Sequence, residues 1–231
     1  GDVVLALDVQ AQDLPALAGR QDDPAGRVAA RLTGLALAAP ARVELIRNGD
    51  AWQLRREGKP FFIKGAGTTS QLELLPAAGA NSIRTWGADK LEPILDQAHK
   101  LGLAVCVGIW LRHENDTEKF SYDNPQMVKE QLELVRQAVL RYKDHPAVLM
   151  WGIGNEMEGE GDNAAIWSHI NCIASMAKQL DPNHPTMTVL AEMGKDKVTW
   201  VNRICPDIDI IGFNTYASGL TVGDRYAKAG G

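Results

Sequence analysis

The chain is 231 residues long, 45% apolar and 23% charged, and 24 basic against 29 acidic side chains leave a net charge of −5. That is enough apolar material for one full core and too little for two large domains, and it excludes a disordered chain. The acidic balance lacks the electrostatic footprint of a phosphate-backbone binder. Lys, Arg, Asp or Gly interrupts every apolar run before the roughly eighteen residues of a spanning helix. Nucleic acid and membrane are therefore not expected partners.

In chain order, residues 3–9 (VVLALDV) have the composition of a strand, and residues 11–42 are rich in Ala, Arg, Gly and Pro. Residues 43–46 and 52–55 flank Asn48-Gly49, a strong hairpin turn. Residues 1–59 thus read as an N-terminal extension whose hairpin plugs the floor of a domain spanning 60–231. From position 61, β-rich apolar runs alternate with helical patterns, the signature of parallel strands joined by crossover helices. Six strands are predicted, at 61–66 (FFIKGA), 81–86 (NSIRTW), 103–111 (LAVCVGIWL), 148–156 (VLMWGIGNE), 186–192 (TMTVLAE) and 208–216 (IDIIGFNTY). Helices are predicted at 89–100, 126–143 and 163–180, where Leu91, Ile94, Leu95 and Ala98, then Val128, Leu132, Val135 and Val139, then Ile166, Ile170, Ile173 and Ala177 recur at helical spacing.

The three cysteines, Cys106, Cys172 and Cys205, are far apart with no C-x-x-C pair, and read as reduced packing residues. His169 with Cys172, and the tripeptide Arg112-His113-Glu114, offer too few ligands for a metal, so neither metal nor cofactor is expected. The chain begins at Gly1 rather than Met, which fits removal of a leader or tag; the compartment stays open, with secretion or the periplasm the expectation.

Strands apolar on both faces belong either to a doubly wound sheet or to a barrel. A dinucleotide binder would carry G-x-G-x-x-G after its first strand, and Gly65-Ala66-Gly67-Thr68-Thr69-Ser70 lacks the third glycine. Polar residues collect instead where strands end: Arg84 and Trp86, Trp110 and His113, Asn155 and Glu156, Glu192, Asn214 and Tyr216. In a barrel every carboxyl strand end opens onto one mouth, so these side chains can meet one ligand. The 171 residues after position 60 hold five or six units at about 31 residues each, short of eight. The expected fold is α/β, an incomplete TIM-type barrel with six recognisable units and a small N-terminal hairpin.

An apolar strand ending abruptly in Asn155-Glu156 resembles the retaining glycoside hydrolases built on a (β/α)₈ barrel, especially the β-glucuronidase, β-galactosidase and cellulase type. The likeness covers about residues 52–216, through KPFFIKGAG, GANSIRTWG, LGLAVCVGIW, HPAVLMWGIGNE and DIDIIGFNTY in order. It implies that Glu156 is the general acid and base for a β-linked glycoside and that Asn155 binds the hydroxyl beside the reacting carbon. It also implies that Arg84 sits beside the nucleophile and Tyr216 hydrogen-bonds it. The plainer readings are a solvated Glu156, a turn residue at Asn155, a structural ion pair at Arg84 and a rim aromatic at Tyr216. Trp86, Trp110 and Trp151 fall where indole stacks on a pyranose ring, with two of the three expected in the core. His113 touches a sugar hydroxyl or caps its loop, and Asn214 joins the substrate contacts.

Retaining hydrolysis needs a second carboxylate about 5 Å from the first, and the resembled family carries it on strand seven, which this pattern lacks. Glu192 ends the fifth strand, one unit early, and is the candidate within the chain; Glu114, Glu158 or Glu160 across a subunit contact are the others. Six strands leave two sheet edges, so the chain is expected either to be cut from a longer enzyme or to self-associate. The rivals to a hydrolase are a non-catalytic carbohydrate-binding or scaffold protein and a nucleotide binder using Gly65 and Gly67.

Overall fold

The computed structural model describes residues 3–6, 39–49, 51–115, 117–157, 163–191, 195–215, 223–224 and 227. In chain order the elements are β1 (Val3–Ala6), β2 (Val43–Asn48), β3 (Ala51–Arg56), β4 (Lys59–Pro60), β5 (Gly65–Gly67), β6 (Ser82–Arg84), α1 (Glu92–Lys100), β7 (Ala104–Ile109), α2 (Pro125–Tyr142), β8 (Val148–Ile153), α3 (Ala164–Leu180), β9 (Thr186–Leu190), α4 (Lys195–Ile204) and β10 (Ile210–Phe213). The three predicted helices are present, and Asn124 and Asn163 start the second and third by accepting backbone N–H bonds with their side chains. Helix α4 escaped the sequence reading, and the stretch after β5 forms two short 3₁₀ turns, Leu72–Leu74 and Pro76–Ala78, in place of a full helix. None of the described helices is long and apolar enough to cross a membrane.

The strands form a parallel sheet in the order β1-β10-β9-β8-β7-β6-β5 and an antiparallel one in the order β2-β3-β4. Its six strands β5 to β10 follow the expected order, although β5 spans only Gly65–Gly67 where 61–66 had been predicted. The seventh, β1, comes from the N-terminal extension and pairs with β10 in the register Val3↔Ile210 to Ala6↔Phe213. A four-residue apolar run two hundred positions from its partner carries no local sign of that pairing. What favours it is the row of unpaired backbone groups on β10.

The two faces of the parallel sheet pack against different things. Ile83, Val105, Val107, Ile109, Trp151, Ile153, Ile211 and Phe213 meet the helices, through Leu95, Val135, Val139, Ile166, Ile170, Ile173, Val198 and Val201. Ala104, Cys106, Met150, Met187, Val189 and Ile210 form a second cluster with Val43 and Leu54 of the hairpin. A register shift between Val105 and Cys106 puts Leu149 in the same cluster as Met150. The hairpin is tied to the amino ends of the strands by Val43 N–H to the Asn183 carbonyl, 2.8 Å, and Arg56 Nη2 to the Pro146 carbonyl, 2.7 Å. Helices on one face and a hairpin on the other exclude the doubly wound alternative.

Curvature is fixed by one distance. β6 and β10 are four strand spacings apart, about 19 Å in a flat sheet at ~4.8 Å per spacing, yet Arg84 Nη1 lies 3.4 Å from Asn214 Oδ1. The sheet is curled, as an incomplete TIM-type barrel.

Cys106 and Cys205 are buried, and burial pushes their thiols up to about 11 and about 12, so both are neutral packing groups. Cys172 is exposed, contrary to its reading as a packing residue: it falls on the outer side of α3, whereas His169 on the same helix is buried. Burial lowers the His169 imidazole to about 4, and the ring lies 5.7 Å from that of Tyr122. Between pH 6.5 and 4 the unfolded chain therefore binds a proton that the folded one refuses, so stability falls as pH drops through this window, by up to ~1.4 kcal/mol per unit. Urea midpoints of the wild type minus those of His169→Gln should show that slope; parallel curves would exclude a buried neutral imidazole.

Candidate active site

β8 is apolar because both of its faces are buried, and it ends where the chain must turn toward the mouth. Gly154 has φ +71°, and a Cβ there would meet Met157 Cγ at 2.8 Å. Its N–H bonds the Ile109 carbonyl of β7 at 2.9 Å, while Thr188 Oγ1 donates to the Ile153 carbonyl at 2.9 Å. Two residues on, Glu156 also takes a left-handed backbone, φ +55°, and its N–H bonds the Val189 carbonyl of β9 at 2.8 Å. A non-glycine residue held in this region costs of order 1–3 kcal/mol and persists because its surroundings over-determine it. Thr188 was missed by the sequence reading; the signal was a hydroxyl repeating at Thr186 and Thr188 in an otherwise apolar strand.

Side chains from three strand ends converge. Arg84, 8% exposed, donates from Nη2 to Asn155 Oδ1 at 2.8 Å and from Nη1 to Asn214 Oδ1 at 3.4 Å. Asn214 Nδ2 donates to Glu156 Oε1 and, more weakly at 3.4 Å, to Asn155 Oδ1. Asn214 is held in place by its own N–H to the Leu190 carbonyl, 2.8 Å. A guanidinium only donates, so the oxygens of both amides must face it; a charge-assisted bond of this kind contributes about 1.5–3 kcal/mol. Below it, the Cys106 thiol is raised by burial and drawn part of the way back by the Arg84 charge.

Trp86 extends this cluster, with the Arg84 guanidinium carbon 5.6 Å from its ring centre and 38% of its surface exposed. A Cβ on Gly67 would lie 2.5 Å from that indole, so the glycine makes the room Trp86 occupies. Gly65 and Gly67 thus lie inside β5, against Ser82 and Trp86, and form no phosphate loop. Trp110, 45% exposed, pairs with His113 at 5.5 Å between ring centres and borders a separate groove of about 500 Å³ between residues 87–90 and α2. Of the three tryptophans only Trp151 is in the core, where its Nε1 donates to Asp181 at 2.8 Å; two had been expected there, but Trp86 and Trp110 follow their strands, past the helix cover.

Glu114 accepts from the Tyr122 N–H at 2.6 Å and from Asn163 Nδ2 at 2.8 Å. Burial raises its carboxyl, but these bonds and one from Ser121 outweigh that and bring it below the usual carboxylate range. It is committed to its own loop and to the cap of α3. Glu192, Tyr216, Glu158 and Glu160 lie outside the described residues. Among the described residues no group of three or more His, Cys, Asp or Glu is placed to hold a metal ion.

Residues 56–220 match the family described as "Glycosyl hydrolases family 2, TIM barrel domain". The chain belongs to glycosyl hydrolase family 2. Within the family-2 relatives, the β-glucuronidase of Chlorocebus aethiops is 29% identical over 181 residues, covering 70% of this chain and 26% of its own length. That of Paenibacillus borealis is 27% identical over 185 residues, covering 74% and 30%. The chain thus spans between a quarter and a third of the relatives it matches. Among solved structures, the β-D-glucuronidase of Dictyoglomus thermophilum superposes with a TM-score of 0.60 at 25% identity, over 77% of this chain and 33% of that one. The Parabacteroides merdae enzyme, crystallised with glycerol in its active site, gives 0.61 at 20% identity over 81% and 25%, a likeness of fold.

The geometry at the end of β8 makes a direct prediction. Gly154→Ala forces a side chain into a left-handed position already filled by Met157, so it should destabilise by about 1–3 kcal/mol in urea melts. An unchanged midpoint would mean that the turn before Asn155 is not constrained.

Proposed function

We propose that the protein is a glycosidase acting on β-linked glycosides, with Glu156 as general acid and base. The observation that carries this reading is the convergence of Arg84, Asn155, Glu156 and Asn214 from three strand ends onto the carboxyl mouth of a family-2 barrel. Glu156 protonates the glycosidic oxygen as it leaves, and the resulting carboxylate then takes a proton from the water that completes hydrolysis. Because Asn155 Oδ1 is turned to Arg84, its amide N–H₂ faces the other way, as a donor for the hydroxyl next to the anomeric carbon. Trp86 offers an exposed indole face for the pyranose ring, and Trp110 and His113 a second polar-aromatic surface farther along the rim.

The attack on the anomeric carbon falls to a second carboxylate about 5–5.5 Å from Glu156. Glu192, directly after β9, is our candidate for it, and Tyr216, following β10, for its hydrogen-bond partner. The relatives are β-glucuronidases by name, which makes aryl β-D-glucuronides the first substrates to try, followed by galactosides and glucosides. A sugar-binding protein without turnover is the second reading, because Glu156 is the one carboxylate of the network among the described residues; calorimetric sugar binding with no product released would favour it. Among the described residues the sheet ends on one side in β5, and we propose that a copy of the chain meets that edge.

Glu156→Gln should abolish aryl β-glycoside hydrolysis, by at least about a hundredfold, with circular dichroism unchanged; undiminished turnover would refute the assignment. Self-association predicts a concentration-dependent sedimentation coefficient, and a single monomeric boundary at working concentration would count against it.

A further inference from the structure

We infer that Asn214 is a positioning residue for Glu156 rather than a sugar ligand, acting as an amide bridge between the Arg84 cation and the Glu156 carboxylate. The inference deepens the hydrolase reading above and rests on it for its catalytic meaning. An asparagine has two donor hydrogens and an acceptor oxygen. Here Oδ1 faces Arg84 Nη1, and Nδ2 lies within hydrogen-bond reach of Glu156 Oε1 and, at 3.4 Å, of Asn155 Oδ1. A substrate hydroxyl would have to compete with both for the amide.

The orientation is forced from both sides. A guanidinium cannot accept and an ionised carboxylate cannot donate, so a flipped amide would set Nδ2 against Arg84 and Oδ1 against Glu156, two repulsive contacts. The backbone leaves little freedom either, because the Asn214 N–H is bonded to Leu190 and the side chain leaves the same strand end. The bridge holds the carboxyl of Glu156 in place relative to Asn155. Arg84 is the charged side chain that meets the amide from β6, and Glu156 the one that meets it from beyond β8.

Two variants test this. Asn214→Ala should lower kcat about ten- to a hundredfold while KM for an aryl β-glycoside stays within about twofold, and affinity for an unreactive aryl thioglycoside, measured by calorimetry, should be equally unmoved. Asn214→Asp keeps the shape and the bond from Arg84 but sets a second carboxylate where Glu156 now receives a hydrogen bond, so kcat should fall at least as far, with KM again within about twofold. A tenfold rise in both KM and the thioglycoside dissociation constant, with kcat retained, would overturn the assignment and make Asn214 a sugar ligand. Side-chain ¹⁵N–¹H₂ resonances of Asn214 give a reading that needs no turnover: Glu156→Ala should shift them, and identical resonances would also overturn it. If the wild type hydrolyses nothing, or Glu156→Gln retains activity, the hydrolase reading fails while the resonance shift still decides the bridge. Asn214→Asp, being isosteric, carries the test if Asn214→Ala does not fold.

Discussion

The arrangement at the mouth depends on the curl of the parallel sheet. Hydrogen bonding sets neighbouring strands about 4.8 Å apart, and no side chain of this chain is long enough to cross four such spacings on a flat surface. Only because the sheet bends can a guanidinium from β6, an amide from beyond β10 and a carboxylate from beyond β8 share hydrogen bonds. The inner face packs on the small hairpin and the outer face on four helices.

Within that frame, the polar residues divide by what they can and cannot do. Arg84 only donates, so it selects the amide oxygens and thereby fixes which way Asn155 and Asn214 point. Glu156 is reached through two left-handed backbone positions, Gly154 and Glu156 itself, and is held by a main-chain bond to β9. Strain is tolerated there because the strand below is fully buried and cannot yield. Glu114, by contrast, has its oxygens satisfied by the Tyr122 N–H of its own loop and by Asn163 at the cap of α3. Its neighbours, rather than its residue type, separate it from the site.

The edge of the sheet next to β10 is instructive for a different reason. Sequence pattern counts six strands, and the structure fills the next place with β1, drawn from a segment that reads as an extension outside the barrel. Strand pairing is decided by backbone complementarity between partners that can be any distance apart in sequence, and a short apolar run such as VVLA gives no indication of its partner. The same limitation hid α4, whose apolar residues are sparse, and the 3₁₀ turns that replace a helix after β5.

By itself, the sequence determined the class of fold and the chemistry of the strand tips. Period-two and period-3.6 patterns are local, as are the amide-carboxylate pair that ends β8 and the arginine that ends β6, so they are legible without coordinates. The tertiary structure decided which tips meet. It separated Trp86, stacked into the space left by Gly67, from Trp151, buried against Asp181, although both tryptophans stand near strand ends. It removed Gly65 and Gly67 from any loop, exposed Cys172, and turned Asn214 from one polar residue among several into the bridge between a cation and an acid. These outcomes depend on curvature and on the exact register of neighbouring strands, properties of the whole sheet that no single segment encodes.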